Sequence, residues 1–162
     1  RRFTCLEVGA GLGLVGISCS KIPSFQQIII TDIPAAIPHL RASIELNSCE
    51  KNTFSVALDW LSYEESNVYD YLGKGNQPDF IVAADVIWVL DLIEPLVNCL
   101  SYYSGPHTKV IIAHQTRSCN ADQRFFSLIA KGGFQILQQI TRKDSESIEK
   151  ENVSIYILIK SN

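Results

Sequence analysis

The chain has 162 residues, 46% of them hydrophobic and 19% charged, and a formal net charge of −3. This is the balance of one globular domain with a sizeable core, and it excludes a disordered or fibrous chain. The slight acidic excess gives no general affinity for a phosphate backbone, and no apolar run approaches the roughly 20 residues of a membrane-spanning helix.

Strand and helix patterns alternate along the chain. Phe3–Val8 is an apolar run that ends at a glycine-rich turn. Residues 12–21 read as a helix stopped by Pro23, and the β-branched run 27–31 as a buried strand. Residues 34–47 read as a helix with proline in its first turn, and 54–58 as a third strand. Residues 62–75 are polar and contain glycine, which predicts a short helix and a loop. Residues 79–84 form a fourth strand, and 90–103 carry helical spacing through Leu92, Leu96, Val97 and Leu100. A fifth strand, 109–113, is followed by a helix over 121–131 that Gly132 and Gly133 close. Two more strands, 134–140 and 153–160, flank a charge-rich stretch, 142–152, expected to be an exposed hairpin loop.

The inner strands are continuous apolar runs, as in a parallel sheet covered on both faces. The expected fold is therefore α/β, a doubly wound and mostly parallel seven-strand sheet in one domain. Its last two strands follow each other without a helix and should add an antiparallel edge hairpin. The five cysteines, at positions 5, 19, 49, 99 and 119, form no C-x-x-C pair. They fit small core residues in a reducing compartment rather than a metal or redox centre. No signal peptide precedes the first strand, yet the chain starts at Arg1 and enters that strand almost at once. The expectation is a core, residues 1–162, that lacks an N-terminal segment.

The chemistry concentrates after the first strand, in Leu6-Glu7-Val8-Gly9-Ala10-Gly11-Leu12-Gly13-Leu14-Val15-Gly16. Glycines there let the backbone turn tightly and approach a ligand, and in open α/β sheets ligands bind outside the carboxyl ends of the strands. A dinucleotide fingerprint, G-x-G-x-x-G, needs a third glycine where Leu14 stands. Glu7, two residues before the first glycine, would repel a pyrophosphate but attract the ammonium group of S-adenosylmethionine, directly or through water. Asp32 ends the second strand, about 20 residues beyond the first glycine, where a carboxylate accepts from ribose hydroxyls. It serves either cofactor, and it could instead cap the helix that follows.

With these residues the chain resembles the class I methyltransferases, and more narrowly methyltransferase family 16, the methyltransferase-like protein-lysine methyltransferases. The glycine loop and Ile30-Thr31-Asp32 are shared widely. Leu58-Asp59-Trp60, Ala84-Asp85-Val86-Ile87-Trp88 and Glu45-Leu46-Asn47 narrow the likeness, which runs over nearly the whole chain. The resemblance implies S-adenosylmethionine as methyl donor, held by Glu7, Gly9, Ala10, Gly11 and Gly13 of the loop and by Asp32 and Ile33. It implies that Asp59 and Trp60 flank the adenine and that Ala84 passes the donor by its backbone. Asp85 and Trp88 match an acidic-x-x-aromatic motif, with Trp88 where the family usually carries tyrosine or phenylalanine. They are the candidate catalytic pair: Asp85 accepts from the incoming amine or holds the methionine end of the donor, and Trp88 offers an aromatic face to the positive charge.

Each assignment has a plainer counterpart. Trp60 could be a boundary tryptophan under a loop, and Asp85 a helix cap with Trp88 as its core anchor. His114 could touch substrate or be a hydrogen-bonded structural histidine, and Arg117 could order the cleft rim, meet an acidic target surface or be solvated.

The expected activity is methyl transfer to a lysine nitrogen of a protein substrate by a cytoplasmic or nuclear monomer, with no nucleic acid, membrane or metal involved. Other readings are a non-catalytic module that binds the donor or a partner, a methyltransferase for small amines, and a nicotinamide-dependent oxidoreductase. Leu14 and Glu7 count against the last.

Overall fold

A computed structural model describes residues 2–145 and 152–161. Seven strands, β1 (Phe3–Val8), β2 (Phe25–Asp32), β3 (Thr53–Ala57), β4 (Phe80–Ala84), β5 (Lys109–Gln115), β6 (Phe134–Ile140) and β7 (Val153–Lys160), form one sheet. Their order is β3-β2-β1-β4-β5-β7-β6. β1 to β5 pair in parallel, while β7 runs antiparallel to both β5 and β6, as the two helix-free final strands predict. Among the described residues five α-helices cover the sheet: α1 (Leu14–Ser20), α2 (Ile37–Leu46), α3 (Val68–Leu72), α4 (Ile93–Tyr103) and α5 (Cys119–Lys131).

Alternation along each inner strand feeds two cores. Leu6, Val8, Ile29, Ile81 and Ala83 join α3, α4 and α5 on one face. Cys5, Ile28, Ile30 and Val82 join α1 and α2 on the other. Ile28, Ile29 and Ile30 are all fully buried, so a continuous apolar run is what such a strand requires. Strand order reverses between β1 and β4, and the crevice beyond their carboxyl ends is the switch point where this architecture places ligands.

The elements differ from expectation mainly at their starts. The first helix begins at Leu14, because Gly11 and Gly13 hold left-handed backbone before it. The helices expected from 34 and 90 begin as 3-10 turns, Pro34–Ala36 and Leu90–Leu92, before α2 and α4. α5 starts two residues early, at Cys119, because the Ser118 side chain accepts from the Ala121 N–H. β5 runs on to Gln115 because it is paired with β7 as far as Val153. Of the stretch expected as an exposed hairpin loop, residues 146–151 lie outside the described residues. No helix among the described residues is long and apolar enough to cross a membrane.

Candidate active site

The carboxyl ends of β1, β2, β3 and β4 surround a cavity of about 280 Å³. Gly9, Asp32, Ile33, Asp59, Trp60, Asp85 and Trp88, seven of the residues singled out above, line it. Leu58, Val86, Val89 and Leu92 supply further apolar wall.

Gly9 shows why the loop needs glycine. Its φ is +67°, and a Cβ there would lie 2.8 Å from Trp60 Cζ2 and 2.9 Å from Val86 Cγ1. The bare backbone is therefore packed under the indole, next to the cavity. The turn is tied to β2 by the Ala10 N–H, which donates to the Thr31 carbonyl at 3.0 Å. Asp32 holds it from the next strand, with Oδ2 accepting from the Gly11 N–H at 2.7 Å and Oδ1 from the Ile33 N–H at 2.7 Å. Asp32 does not cap the helical segment after it, whose first residue is preceded by Ile33. Gly13 closes the loop as the left-handed residue before α1, and Ala84 pairs with Ala113 at the end of β4. Ala10, Gly11, Gly13 and Ala84 support the cavity without being part of its wall.

Glu7 lies behind the loop. It is 2% exposed, and its Oε2 accepts from the Gly16 N–H at 2.8 Å. Its carboxylate thus anchors α1 to β1 and is not on the cavity wall. Burial pushes its pKa up to about 7 from 4.5, opposed by the hydrogen bond from Gly16. Between those values the folded chain holds a proton that the unfolded chain has released. Stability from this group is therefore greatest below about pH 4.5 and falls as pH rises to about 7. Glu7→Gln keeps an acceptor for Gly16 and removes the titration. Urea midpoints measured across pH 4.5 to 8 should flatten in this variant, removing a decline of up to about 3 kcal/mol. Parallel curves for the two proteins would show that Glu7 is not the group responsible.

Gly16 meets Glu7 from the helix side. A Cβ at Gly16 would lie 2.5 Å from Glu7 Oε2 and 2.7 Å from Ile30 Cγ1. Gly16→Ala should therefore lower the unfolding free energy by about 1–3 kcal/mol, read by denaturant titration. An unchanged midpoint would mean that α1 has room to shift.

Asp59 Oδ1 accepts from the Leu61 N–H at 2.9 Å and caps the 3-10 segment Trp60–Glu65. The indole of Trp60 is packed against the larger core and over Gly9, so it is both a boundary residue and a cavity wall. Asp85 follows β4 with φ +56°, a left-handed conformation that aspartate tolerates better than most residues. It does not cap α4 or the turn before it. Arg117, from the turn between β5 and α5, grips it with two hydrogen bonds, Nε to Oδ1 at 2.8 Å and Nη2 to Oδ2 at 2.5 Å. Trp88 is 60% exposed at the mouth of the cavity, so it is not a core anchor.

His114 is buried and joined through Nε2 to Asp122 Oδ1 at 2.9 Å, which makes it a strut between β5 and α5. The residues given no site role from sequence are the apolar walls at Leu58, Val86, Val89 and Leu92. Leu58 and Val86 stood inside quoted motifs, but nothing set Val89 and Leu92 apart from ordinary apolar residues. Arg117 was expected at the cleft rim at most, and its pairing with Asp85 was not foreseen.

Residues 1–132 match the family model described as lysine methyltransferase. The chain is 28% identical over 152 residues to EEF1A lysine methyltransferase 3 of Xenopus tropicalis, covering 93% of this chain and 63% of that protein. It is 27% identical over 165 residues to the protein-lysine N-methyltransferase EFM6 of Saccharomyces cerevisiae, covering 96% and 66%. The chain thus spans just under two thirds of the length of these relatives. Among solved structures, a TehB-like SAM-dependent methyltransferase from Corynebacterium glutamicum shares the fold. Its TM-score is 0.71 at 16% identity, covering 99% of this chain and 82% of that one. An O-methyltransferase family protein from Burkholderia thailandensis superposes with a TM-score of 0.74 at 11% identity, covering all of this chain and 52% of that one. With the family model matched over most of its length, the chain belongs to the lysine methyltransferase family.

Proposed function

We propose that this chain is the catalytic core of an S-adenosylmethionine-dependent methyltransferase that modifies a lysine side chain of a protein substrate. The observation that carries the reading is the make-up of the cavity. Three carboxylates, Asp32, Asp59 and Asp85, line it; Asp85 is ion-paired to Arg117, and no basic side chain is among the lining residues, so the wall keeps an acidic balance. A pyrophosphate would be repelled there, whereas a ligand bearing a sulfonium and an ammonium group is attracted. The bare backbone of Gly9 and the indole of Trp60 suit a flat, apolar nucleoside beside them.

Asp32 then receives the ribose hydroxyls with the lone pairs left free by Gly11 and Ile33. Asp59 and Trp60 hold the adenine, and the loop from Gly9 to Gly13 with Ile33 and Ala84 shapes the remainder. When bound, S-adenosylmethionine would supply its sulfonium methyl to the amine lone pair, with the C–S electrons passing to sulfur and S-adenosylhomocysteine as the leaving group. Asp85 orients the amine by accepting a hydrogen bond, and Trp88 offers its exposed face to the cationic side chain. Free lysine, with a pKa of about 10.4, must lose a proton before it attacks. Desolvation at the cavity mouth favours the neutral amine.

The test is calorimetric titration with S-adenosylhomocysteine, with NAD as control. The next step is a radiolabelled methyl-transfer assay. EEF1A is the first protein to try, since relatives carry that name. Binding of S-adenosylhomocysteine alone, with label entering lysine, is the expected result. Binding of NAD in its place, or a donor complex that labels no lysine in any protein, would overturn the reading. The buried or half-buried free thiols at Cys5, Cys19, Cys49 and Cys99 support a reducing, cytoplasmic setting.

A further inference from the structure

The ion pair between Arg117 and Asp85 is two-pronged although both side chains are about half exposed. Side-chain exposure is 52% for Arg117 and 47% for Asp85, and exposed pairs of this kind contribute little to stability. Yet the guanidinium engages both carboxylate oxygens, the geometry that fixes orientation as well as charge.

The turn that carries Arg117 is pinned on both sides. The Thr116 N–H donates to the Asn152 carbonyl at 3.1 Å, beside the β5–β7 ladder. Ser118 caps α5, and its carbonyl accepts from the Asp122 N–H at 3.0 Å. Asp122 is in turn bonded to the buried His114 at the end of β5. Arg117 is thus delivered to Asp85 from a fixed frame, and Asp85 waits in a left-handed turn whose N–H donates to the Ala113 carbonyl at 2.9 Å.

The charge around the pair gives the arrangement a purpose. Asp32 and Asp59 are the other carboxylates on the cavity wall. Asp91 and Glu94 stand at the start of the helical segment after Trp88, and Glu94 is already paired with Arg124 of α5 at 3.0 Å. An amine entering among three unbalanced carboxylates would be held as ammonium, which cannot attack a methyl group. Arg117 balances the carboxylate nearest the amine while leaving lone pairs on both oxygens free to accept.

Resting on the reading of the site as a lysine methyltransferase, we propose that Arg117 is a positioning residue for methyl transfer. It fixes the carboxylate of Asp85 and balances its charge, so that Asp85 receives the amine without trapping its proton. Arg117 itself is not among the residues that line the cavity and acts through Asp85.

The test compares the chain with Arg117→Met and Arg117→Lys. Three readouts are taken: S-adenosylhomocysteine affinity, kcat against pH, and the Arg117 Nε–H proton resonance. The resonance should exchange slowly in the unaltered chain and vanish in Asp85→Asn, which tests the grip without any turnover. Arg117→Met should bind S-adenosylhomocysteine within about threefold of the unaltered chain. It should lose about ten- to a hundredfold in kcat, with the rising limb of kcat moved up by about one pH unit. Arg117→Lys keeps the charge but not the two-point grip, so it should restore the pH limb while kcat stays low. If Arg117→Met matches the unaltered chain in kcat and pH limb, the proposal is wrong. It is equally wrong if both variants lose donor affinity together with activity, since Arg117 would then be a structural prop. An unaltered chain that transfers no methyl group sinks the reading of the site instead, and the resonance still decides whether the grip exists.

Discussion

Asp32→Ala should weaken S-adenosylhomocysteine binding by at least about a hundredfold, because two functions end on one carboxylate. The first is the loop: Oδ2 accepts from the Gly11 N–H and Oδ1 from the Ile33 N–H, each at 2.7 Å. Without them the glycine turn is held by backbone ties such as Ala10 to Thr31 and Gly13 to Ala10, with no side-chain carboxylate bridging it to β2. The second is the ligand, for which Asp32 presents the acceptor on that side of the cavity. Hydrogen bonds to a charged group contribute about 1.5–3 kcal/mol each, so losing one pair alone gives about ten- to a hundredfold, and the loosened loop adds to it. Asp59→Ala should cost less, about tenfold, because its Oδ1 ties down the 3-10 segment Trp60–Glu65 rather than the glycine loop. Calorimetry on both variants, with melting curves as a check on folding, measures the difference. An Asp32→Ala protein that binds within threefold of the unaltered chain would remove Asp32 from the site.

The fold was legible because both faces of the sheet are covered. Ile28-Ile29-Ile30 can be read as a buried strand without knowing its neighbours, since every residue of the run is fully buried. The antiparallel edge followed from two strands with no helix between them. Helix starts were less legible. Leu12 is apolar and looks helical, but the left-handed glycines on either side of it delay α1 to Leu14. Gly9 of the glycine loop, the acidic residue that ends β2 and the two aromatic motifs line one cavity because each lies at or just past a strand end, and strand ends converge at the switch point. Glu7 was visible, but its direction was missed. Residues of equal parity share a face of a strand, and Cys5 packs in the core that α1 covers. Glu7 therefore points under α1 rather than into the crevice, and parity alone carried that signal. Arg117 was not legible as a partner of Asp85, because the two are 32 residues apart and meet only where β4 and β5 lie side by side.

Asp85→Asn is the variant that separates chemistry from binding. Asparagine tolerates the left-handed backbone at φ +56° as well as aspartate does, so the turn after β4 should survive. Alanine would add a conformational cost of roughly 1 kcal/mol there, which makes it the poorer probe. Loss of the Arg117 pair should change the unfolding free energy by no more than about 1 kcal/mol, because both side chains are about half exposed. Donor affinity should stay within a few fold, since the adenosine end of the cavity is built by Asp32, Asp59, Trp60 and Gly9. The kcat should fall by about a hundred- to a thousandfold. The amine would meet an uncharged amide that has lost its ion pair to Arg117, a weaker and less fixed acceptor for holding its lone pair in line with the methyl group. The proposed role stands if kcat falls while the titration of S-adenosylhomocysteine is unchanged. A parallel loss of both would instead assign Asp85 to the methionine end of the donor, and near-full activity would leave amine alignment to Trp88 and the cavity mouth.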